Sequence, residues 1–328
     1  MIRLATLEAV LGPFIPDAAG AAYRKFPPLP PAAIEAAARR AAAMAGRTLD
    51  GSYAHGPAEA RVGDRSFAWQ LSGSPGLVVK VLGTSERATY KSWLRAVDIA
   101  RSLRTPPGLR SPRIYHAGLE PVPWFVEERA PGPAASPACL SPAHAVEIIS
   151  AIQGTRLSRG PALKRWNARR YRRQILEPTK QLLRSGVITP LAARQVVELA
   201  RTHLPRTKSF APVLSHNDLA ISHIYPDGGT TWLIDWESPH YDRLLMVDAA
   251  HLMVNHGPMN VEWASRIGRA ALDHLQERTD ADLRSNLVVA LLDRVVGKAY
   301  EWLRRYRLQS RDALEALCAL IDGDLVPR

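Results

Sequence analysis

The sequence predicts an α+β fold of two lobes, with a small antiparallel β-sheet lobe followed by a larger, mainly helical lobe. Short segments divided by glycines and turns fill residues 48–128, a pattern typical of strands. Beyond these residues the apolar side chains recur at helical spacing, apart from one β-like island over 213–234. We therefore expect a helical flanking arm over 1–47, a first lobe over 48–128 and a helical second lobe over 129–328.

The composition is that of an ordinary globular protein. Of the 328 residues, 46% are hydrophobic and 23% are charged, far from the profile of a disordered chain. The two cysteines, Cys139 and Cys318, are too few for a disulfide framework and lack the paired spacing of a zinc site, which favours a reducing compartment. No apolar run reaches the ~18 residues of a membrane span, and no leader with a cleavage site is evident. These features predict a cytoplasmic protein without a membrane span.

Local signals define the elements of the arm and the first lobe. Prolines precede an alanine-rich segment over 32–45, which we predict to be helical because alanine has the highest helix propensity. The predicted strands cover 65–71, 77–82, 113–117 and 124–128. Between the second and third of these strands, the hydroxyl of Thr84 or Ser85 is expected to cap a helix that ends at about Leu103.

One lysine interrupts an apolar strand. Lys80 lies within the run Leu77–Leu82, where an unpaired ammonium would be costly to bury. An anionic group should therefore face it, unless the strand lies at a sheet edge and the lysine extends into solvent. Two acidic residues of the following helix are candidates for the partner. We favour Asp98, in the third or fourth turn, over Glu86 at the start of that helix.

The second lobe is predicted to be helical with one inserted hairpin. The predicted helices cover 141–158, 163–185, 189–203, 260–278 and 282–322. Between the short apolar segments 224–225 and 232–234, the sequence Asp227-Gly228-Gly229 is a strong hairpin-turn signal, because these residues tolerate positive φ.

Acidic and imidazole side chains stand at both ends of this hairpin. His216, Asp218 and His223 precede it, and Asp235 follows it. The hairpin would bring its two ends together, so we expect Asp218, His223 and Asp235 to converge. Phosphoryl transfer needs a carboxylate that orients the acceptor hydroxyl and takes its proton, and ligands for magnesium. The pattern therefore indicates phosphoryl-transfer chemistry.

These two loops resemble a family signature. The run His-Asn-Asp-Leu-Ala-Ile-Ser-His over 216–223, followed by Leu-Ile-Asp-Trp-Glu over 233–237, is similar to the motifs H-x-D-x-x-x-x-N and I-D-W/F-E/G. Those motifs characterise the aminoglycoside and macrolide phosphotransferases, the choline kinases and their relatives. The resemblance covers residues 50–255. It departs where His223 replaces the usual asparagine, a variant also familiar within the family, and a neutral imidazole can still bind a metal.

The resemblance implies a protein-kinase-like fold and a role for each motif residue. Asp218 would be the catalytic base, His223 and Asp235 would bind Mg²⁺, and His216 would support the catalytic loop. The expected reaction moves the γ-phosphoryl of ATP or GTP to a hydroxyl of a small molecule.

The resemblance also makes the first lobe the nucleotide-binding lobe. Lys80 would hold the α- and β-phosphates, and the backbone around Glu128 would pair with the purine edge. A phosphate-covering loop is expected over 51–63, although that region contains no G-x-G-x-x-G sequence. Two later acidic residues, Asp242 and Asp248, would be structural.

Positive charge is concentrated in the segment 156–184. Ten basic residues and one acidic residue fall within this segment, so it carries a net charge of +9 in a chain whose net charge is +12. It is either a solvated helix face or an electrostatic funnel for an anionic partner. The absence of a recognisable nucleic-acid-binding motif argues against nucleic acid as this partner, while the basic segment keeps it open as an alternative. The charge favours a neutral or anionic acceptor, such as a macrolide-like compound, a phosphorylated sugar or a lipopolysaccharide-core sugar.

Two other classes of function remain open. A metal-dependent hydrolase is an alternative because several His and Asp residues follow one another between His216 and His256. A catalytically inactive kinase-fold binding module is the other, because the phosphate loop is weak and the partner of Lys80 is uncertain.

Overall fold

The computed structural model describes most of the chain. The described residues are 29–53, 66–83, 94, 97–120, 122–158, 168–207, 213–236, 239–255, 261–276, 282–306, 311–321 and 323.

The first lobe contains a five-stranded antiparallel sheet. Up to residue 128 the strands in chain order are β1 (Leu49–Tyr53), β2 (Ser66–Leu71), β3 (Leu77–Leu82), β4 (Leu103–Arg104), β5 (Leu109–Arg110), β6 (Ile114–Gly118) and β7 (Trp124–Glu128), of which β4 and β5 lie outside this sheet. The sheet has the order β1-β2-β3-β7-β6. Because β3 pairs on both sides, with β2 and β7, Lys80 lies in a central strand and not at an edge. The alternative of a lysine extending from an edge strand is therefore wrong.

Helix α1 (Pro31–Met44) packs against this sheet. Its buried face is built from alanines such as Ala37, Ala38 and Ala41, whose small side chains allow close approach to Val79 and Trp124. Proline occupies the first turn, where a missing N–H costs nothing. The predicted helix is confirmed, and it packs on the sheet of the first lobe. The division of the chain at residue 47 stays a prediction.

The second lobe is mainly helical. Its helices are α2 (Pro142–Gly154), α3 (Ala168–Arg184), α4 (Pro190–His203), α5 (Val247–Val254), α6 (Val261–Gln276), α7 (Leu283–Tyr306) and α8 (Arg311–Ile321). Its strands are β8 (Arg156–Leu157), β9 (Val213–Ser215), β10 (Ile224–Asp227), β11 (Thr230–Leu233) and β12 (His240–Arg243). Helix α7 lies at the centre, where it contacts α3, α4, α5, α6 and α8 and buries an almost continuous apolar surface.

Hydroxyl caps start two of these helices where the sequence predicts. Ser141 accepts a hydrogen bond from the backbone N–H of His144 at 3.1 Å, and Thr189 accepts one from Ala192 at 3.1 Å. Each cap satisfies an N–H group that has no partner inside its helix. The long helix predicted over 282–322 is divided into α7 and α8, and the residues between them lie outside the described part.

The hairpin β10–β11 has the geometry expected from its turn residues. Asp227 and Thr230 face each other across a two-residue turn, and Gly228 and Gly229 have φ of 51° and 89°. Positive φ at both central positions matches the right-handed twist of the strands. The first part of the predicted β-like island, β9, pairs with β12 instead of joining the hairpin.

Two short ladders connect the segment before β6 to the second lobe. Strand β5 pairs in parallel with β11, and strand β4 pairs with β8. The two-lobed α+β fold predicted from the sequence is confirmed. Among the described residues, no helix combines the length and apolar character required to span a bilayer.

Candidate active site

Two loops at the ends of the hairpin form the centre of the site. One follows β9 and carries His216, Asn217 and Asp218, while Asp235 lies just after β11. Asn217 and Asp235 have φ of 61° and 70°, a left-handed conformation that asparagine and aspartate tolerate better than other side chains. The N–H of Ile234 donates to the carbonyl of His223 at 3.0 Å and joins the two loops. Strained backbone of this kind is characteristic of functional sites.

Among the described residues, Lys80 contacts one carboxylate from each lobe. Its Nζ lies 3.1 Å from Oδ1 of Asp235 and 3.1 Å from Oε1 of Glu127 on β7. Only 9% of the lysine side chain is exposed, so these contacts compensate for the removal of its charge from water. The Phe125 ring lies 5.6 Å away on the same side of the sheet. The expectation that an anionic group faces this lysine is met.

The carboxylates around Lys80 have shifted pKa values. Burial alone would raise the pKa of Asp235, but the Lys80 ammonium and His223 outweigh it and hold this pKa well below its ordinary range. Burial raises the pKa of Glu127, which Lys80 opposes. Asp235 is therefore the residue of this group that is most firmly ionised.

His223 presents a ring nitrogen to Asp235. Its Nδ1 lies 2.9 Å from the backbone carbonyl oxygen of Asp218, so Nδ1–H must be the donor because a carbonyl can only accept. In the neutral ring this leaves the Nε2 lone pair 3.3 Å from Oδ2 of Asp235. Two acceptors at this distance repel each other unless a proton or a cation lies between them. A histidine that donates one ring N–H to a carbonyl and presents the other nitrogen is typical of metal ligands.

His216 and Asp248 form hydrogen bonds with the backbone of the two site loops from the buried side. His216 is fully buried, and its Nε2–H donates to the carbonyl of Ile234 at 2.8 Å. Burial, followed by the proximity of His223, lowers the pKa of His216 to about 4, so the ring is neutral at pH 7. The ring also packs 4.8 Å from the indole of Trp236. His216 therefore contacts the loop and does not face the open cleft.

The Asp248 carboxylate accepts the backbone N–H groups of His216 and Asn217, both at 3.0 Å. Burial raises the pKa of Asp248 to about 7, and the two backbone donors oppose this rise. Asp248 thus has the structural position expected for it. The side chain of Asp242 lies outside the described part of the chain.

Asp218 is the most exposed of the described acidic residues of the site. Its side chain is 47% exposed, and Oδ1 accepts from Nη2 of Arg294 at 2.9 Å and from Nδ2 of Asn255 at 3.3 Å. Nδ1 of His251 lies 4.0 Å from the same oxygen. Sequence reasoning missed these three neighbours. They belong to helices outside the motif, and nothing in their spacing along the chain points to Asp218.

Asp98 does not pair with Lys80. It lies on a helical segment over 97–102 with its side chain exposed, whereas Glu127 occupies the position beside the lysine. The prediction of Asp98 is therefore wrong. Lys80 and Glu127 lie on adjacent antiparallel strands, and cross-strand neighbours on one face come within contact distance without any help from a helix. The competing candidate, Glu86, lies outside the described residues. So do residues 54–63 of the phosphate-covering loop expected over 51–63, while residues 51–53 end β1.

Glu128 ends β7, and its groups are largely used within the protein. Its N–H donates to the carbonyl of Arg113 at 3.0 Å, and its carboxylate accepts from Arg110 at 3.1 Å and from the Arg113 N–H at 3.1 Å. The next N–H, of Arg129, donates to the carbonyl of Gly76 at 2.9 Å. A purine edge would therefore have to be recognised by groups other than these two N–H donors.

Comparison with solved structures identifies the architecture. No protein-family model matches the sequence, and no curated protein matches it. The GDP complex of aminoglycoside 2'-phosphotransferase-IIIa superposes with a TM-score of 0.61 at 13% identity, covering 89% of this chain and 98% of that one. The chain has the fold of the aminoglycoside phosphotransferases.

Two further structures of this fold agree. A thermostable mutant of aminoglycoside phosphotransferase APH(4)-Ia has a TM-score of 0.56 at 14% identity, covering 84% of this chain and 95% of that chain. A choline/ethanolamine kinase family protein from Mesorhizobium loti has a TM-score of 0.52 at 18% identity, covering 84% and 87%. The resemblance inferred from the two motifs is confirmed at the level of the fold.

Proposed function

We propose that the protein is a phosphotransferase that moves the γ-phosphoryl of ATP or GTP to a hydroxyl of a small molecule. One observation carries the proposal: the fold brings Lys80, His223 and Asp235 into contact, with Asp218 on the adjoining, more open side. A cation, a pair of metal-ligating groups and an accessible carboxylate are the parts that phosphoryl transfer requires. The structural neighbours include complexes with ADP, GDP and aminoglycosides, which supports the same class of chemistry.

His223 and Asp235 suit a divalent cation. The facing of Nε2 and Oδ2 at 3.3 Å is unfavourable for the neutral ring without a cation, and the low pKa of Asp235 keeps its carboxylate available as a ligand. These two residues would hold Mg²⁺, which when bound neutralises phosphate charge. Lys80, already paired with Asp235, would hold the α- and β-phosphates.

The proton of the acceptor would go to Asp218. In the proposed step the acceptor O–H bond breaks and the proton moves to the Asp218 carboxylate. The acceptor oxygen forms a bond to the γ-phosphorus, and the bond from this phosphorus to the β,γ-bridging oxygen breaks, so the electron pair leaves with the nucleoside diphosphate. The exposure of Asp218 leaves space for the acceptor.

A neutral or anionic acceptor fits this chain better than a polycation. The net charge is +12, and the guanidinium of Arg294 donates a hydrogen bond to Asp218, the proposed base. Ammonium groups of an aminoglycoside would need carboxylate partners instead. Macrolide-like compounds, phosphorylated sugars and lipopolysaccharide-core sugars are the acceptor classes to screen.

Thermal unfolding with ATP and GTP, each with and without Mg²⁺, tests the nucleotide half of the proposal. A nucleotide at about 100 times its Kd adds roughly 2.7 kcal/mol and should raise Tm visibly. We expect stabilisation that requires Mg²⁺ and is lost in Asp235→Ala. The matched control is Asp273→Ala, which removes an exposed carboxylate from α6.

Absence of stabilisation by either nucleotide would contradict the proposal. Tight zinc retention through purification would then favour the hydrolase alternative, although no group of three metal-ligating side chains occurs in the described part of the chain. Nucleotide binding that ignores Mg²⁺, with no transfer or hydrolysis, would favour the inactive binding module.

A further inference from the structure

The two oxygens of Asp218 have different surroundings. Oδ1 accepts hydrogen bonds from Arg294 and Asn255, and the His251 ring lies near the same oxygen. Among the described residues, no donor contacts Oδ2. Since almost half of the side chain is exposed, Oδ2 is the oxygen that an acceptor hydroxyl can reach. The protein thus binds one oxygen and presents the other.

Arg294 is itself oriented by Asn255. Its Nε and Nη2 donate to Oδ1 of Asn255 at 3.2 and 2.6 Å, while Nη2 also donates to Asp218. A guanidinium can only donate, so the Asn255 amide must turn its oxygen to Arg294 and its Nδ2 to Asp218. The same Nδ2 lies 3.3 Å from the carbonyl oxygen of Leu219. The three side chains form a closed network in which each fixes the next.

The network is anchored in the core of the second lobe. Arg294 lies on α7 between the fully buried Leu291 and Val295, and only 20% of its side chain is exposed. Asn255 ends α5, with its N–H donating to the carbonyl of His251 at 2.8 Å. Helices α5 and α7 pack against each other. A movement of either donor would therefore require repacking of helices.

We propose that Arg294 and Asn255 are positioning residues that fix the rotation of the Asp218 carboxylate and aim Oδ2 at the acceptor hydroxyl. The inference rests on the proposed function, because it assumes that Asp218 is the general base. A general base must lie within about 2.6–3.2 Å of the proton donor, and a displacement of 1 Å costs on the order of 10²-fold in rate. A freely rotating carboxylate would spend much of its time away from this geometry.

A purely structural ion pair makes a different prediction. If Arg294 only stabilised the packing of α7, its removal would lower the amount of folded protein without changing kcat per folded molecule. If it positions Asp218, kcat falls while KM for the nucleotide stays the same, because Lys80, His223 and Asp235 are untouched.

The experiment measures steady-state release of phosphate from Mg²⁺·ATP or Mg²⁺·GTP, with water as the acceptor, for wild type and variants. Arg294→Met and Asn255→Ala should lower kcat by about 10²-fold with nucleotide KM unchanged, and Arg294→Lys should recover part of the loss. Arg284→Met is the matched control, since Arg284 lies exposed on the same helix. Nucleotide-induced Tm shifts report whether each variant is folded.

A double variant separates this inference from the proposed function. In an Asp218→Ala background, Arg294→Met should have no further effect on kcat, because a positioning residue acts only through the residue it positions. Wild-type turnover that requires Asp218, together with unchanged kcat in Arg294→Met or additive losses in the double variant, would overturn the inference alone. A wild type that does not turn over Mg²⁺·nucleotide would overturn both.

Discussion

The two carboxylates to which we assign roles in the proposed reaction are held in different ways. Asp235 lies next to the Lys80 ammonium and His223, with its side chain 30% exposed and its pKa held low. Asp218 is more exposed and is held by Arg294 and Asn255, whose helices follow the motif in the chain. One carboxylate is enclosed by groups of the motif and the first lobe, and the other is supported from outside the motif.

This difference follows from what each carboxylate would do. A metal ligand must stay ionised, and close cations favour the charged form of an acid. A base must be reachable by its acceptor, so it cannot be enclosed on all sides. We therefore expect nucleotide binding to depend mainly on the charges around Asp235. Transfer to the acceptor should depend mainly on the orientation of the Asp218 carboxylate.

The largest expected effect comes from the carboxylates themselves. Asp218→Ala should lower kcat by about 10²–10⁴-fold, the usual contribution of a general base, while Mg²⁺-dependent nucleotide binding survives. Asp235→Ala should lose this binding as well. Parallel measurements of kcat and of nucleotide-induced Tm shifts check the pair. Intact turnover in either variant would contradict the role assigned to the carboxylate that was removed.

The second prediction concerns the buried cation beside Asp235. Lys80→Met leaves the carboxylates of Glu127 and Asp235 without this cation, and should lower the free energy of unfolding by about 3–5 kcal/mol. Adding Glu127→Gln should recover part of this loss, because one buried negative charge is removed. Urea unfolding measures both variants. Equal stability of wild type and Lys80→Met would show that the pair is far better solvated than its burial indicates.

The third prediction concerns the buried imidazole of His216, which donates a hydrogen bond to the carbonyl of Ile234 beside Asp235. The pKa of His216 is lowered to about 4 from 6.5, so the unfolded chain binds its proton more readily between these pH values. The free energy of unfolding should therefore fall as pH decreases from 6.5 to 4, by up to about 3 kcal/mol from this residue. Above pH 6.5 this contribution is constant.

Chemical denaturation in EDTA at several pH values, for wild type and His216→Asn, isolates the effect. The stability of wild type relative to the variant should decrease on acidification. A difference that is independent of pH would show that His216 is protonated as easily in the fold as in the unfolded chain.

The smallest expected effect lies at an exposed pair. Arg110 is 53% exposed, pairs with Glu128 at 3.1 Å and lies over the Trp232 ring at 4.1 Å. Arg110→Ala should cost less than about 1 kcal/mol and leave kcat unchanged, because exposed ion pairs contribute little. Urea unfolding of Arg110→Ala and Lys80→Met in parallel compares the two losses of unfolding free energy. A loss of stability as large as that of Lys80→Met would show that the exposure of an ion pair does not determine its contribution to stability here.

The motif half of the site could be predicted from the sequence. His216, Asp218, His223 and Asp235 are linked by one short hairpin, whose turn residues specify their own geometry, so that their convergence follows from local rules. The fold class also follows from local patterns, because alternation and helical periodicity persist over whole lobes.

The other half depends on contacts between distant segments. Glu127 reaches Lys80 through strand pairing, and Arg294 reaches Asp218 across 76 residues of sequence. Neither register nor helix packing can be read from spacing alone. A helix that follows the lysine strand makes Asp98 the expected partner, but the sheet supplies a carboxylate, that of Glu127, from the strand paired with β3.

The short ladders β5–β11 and β4–β8 give the molecule a mechanical property. The first lobe joins the second through the covalent connection after β7 and also through these ladders just before β6, where Arg110 lies on Trp232. Among the described residues these are the places where backbone joins the lobes, and a body attached at two places swings about the line that joins them. Opening and closing of the cleft should therefore be a single rotation, which changes the distance between the outer parts of the sheet and the second lobe while the region around Glu128 stays in place.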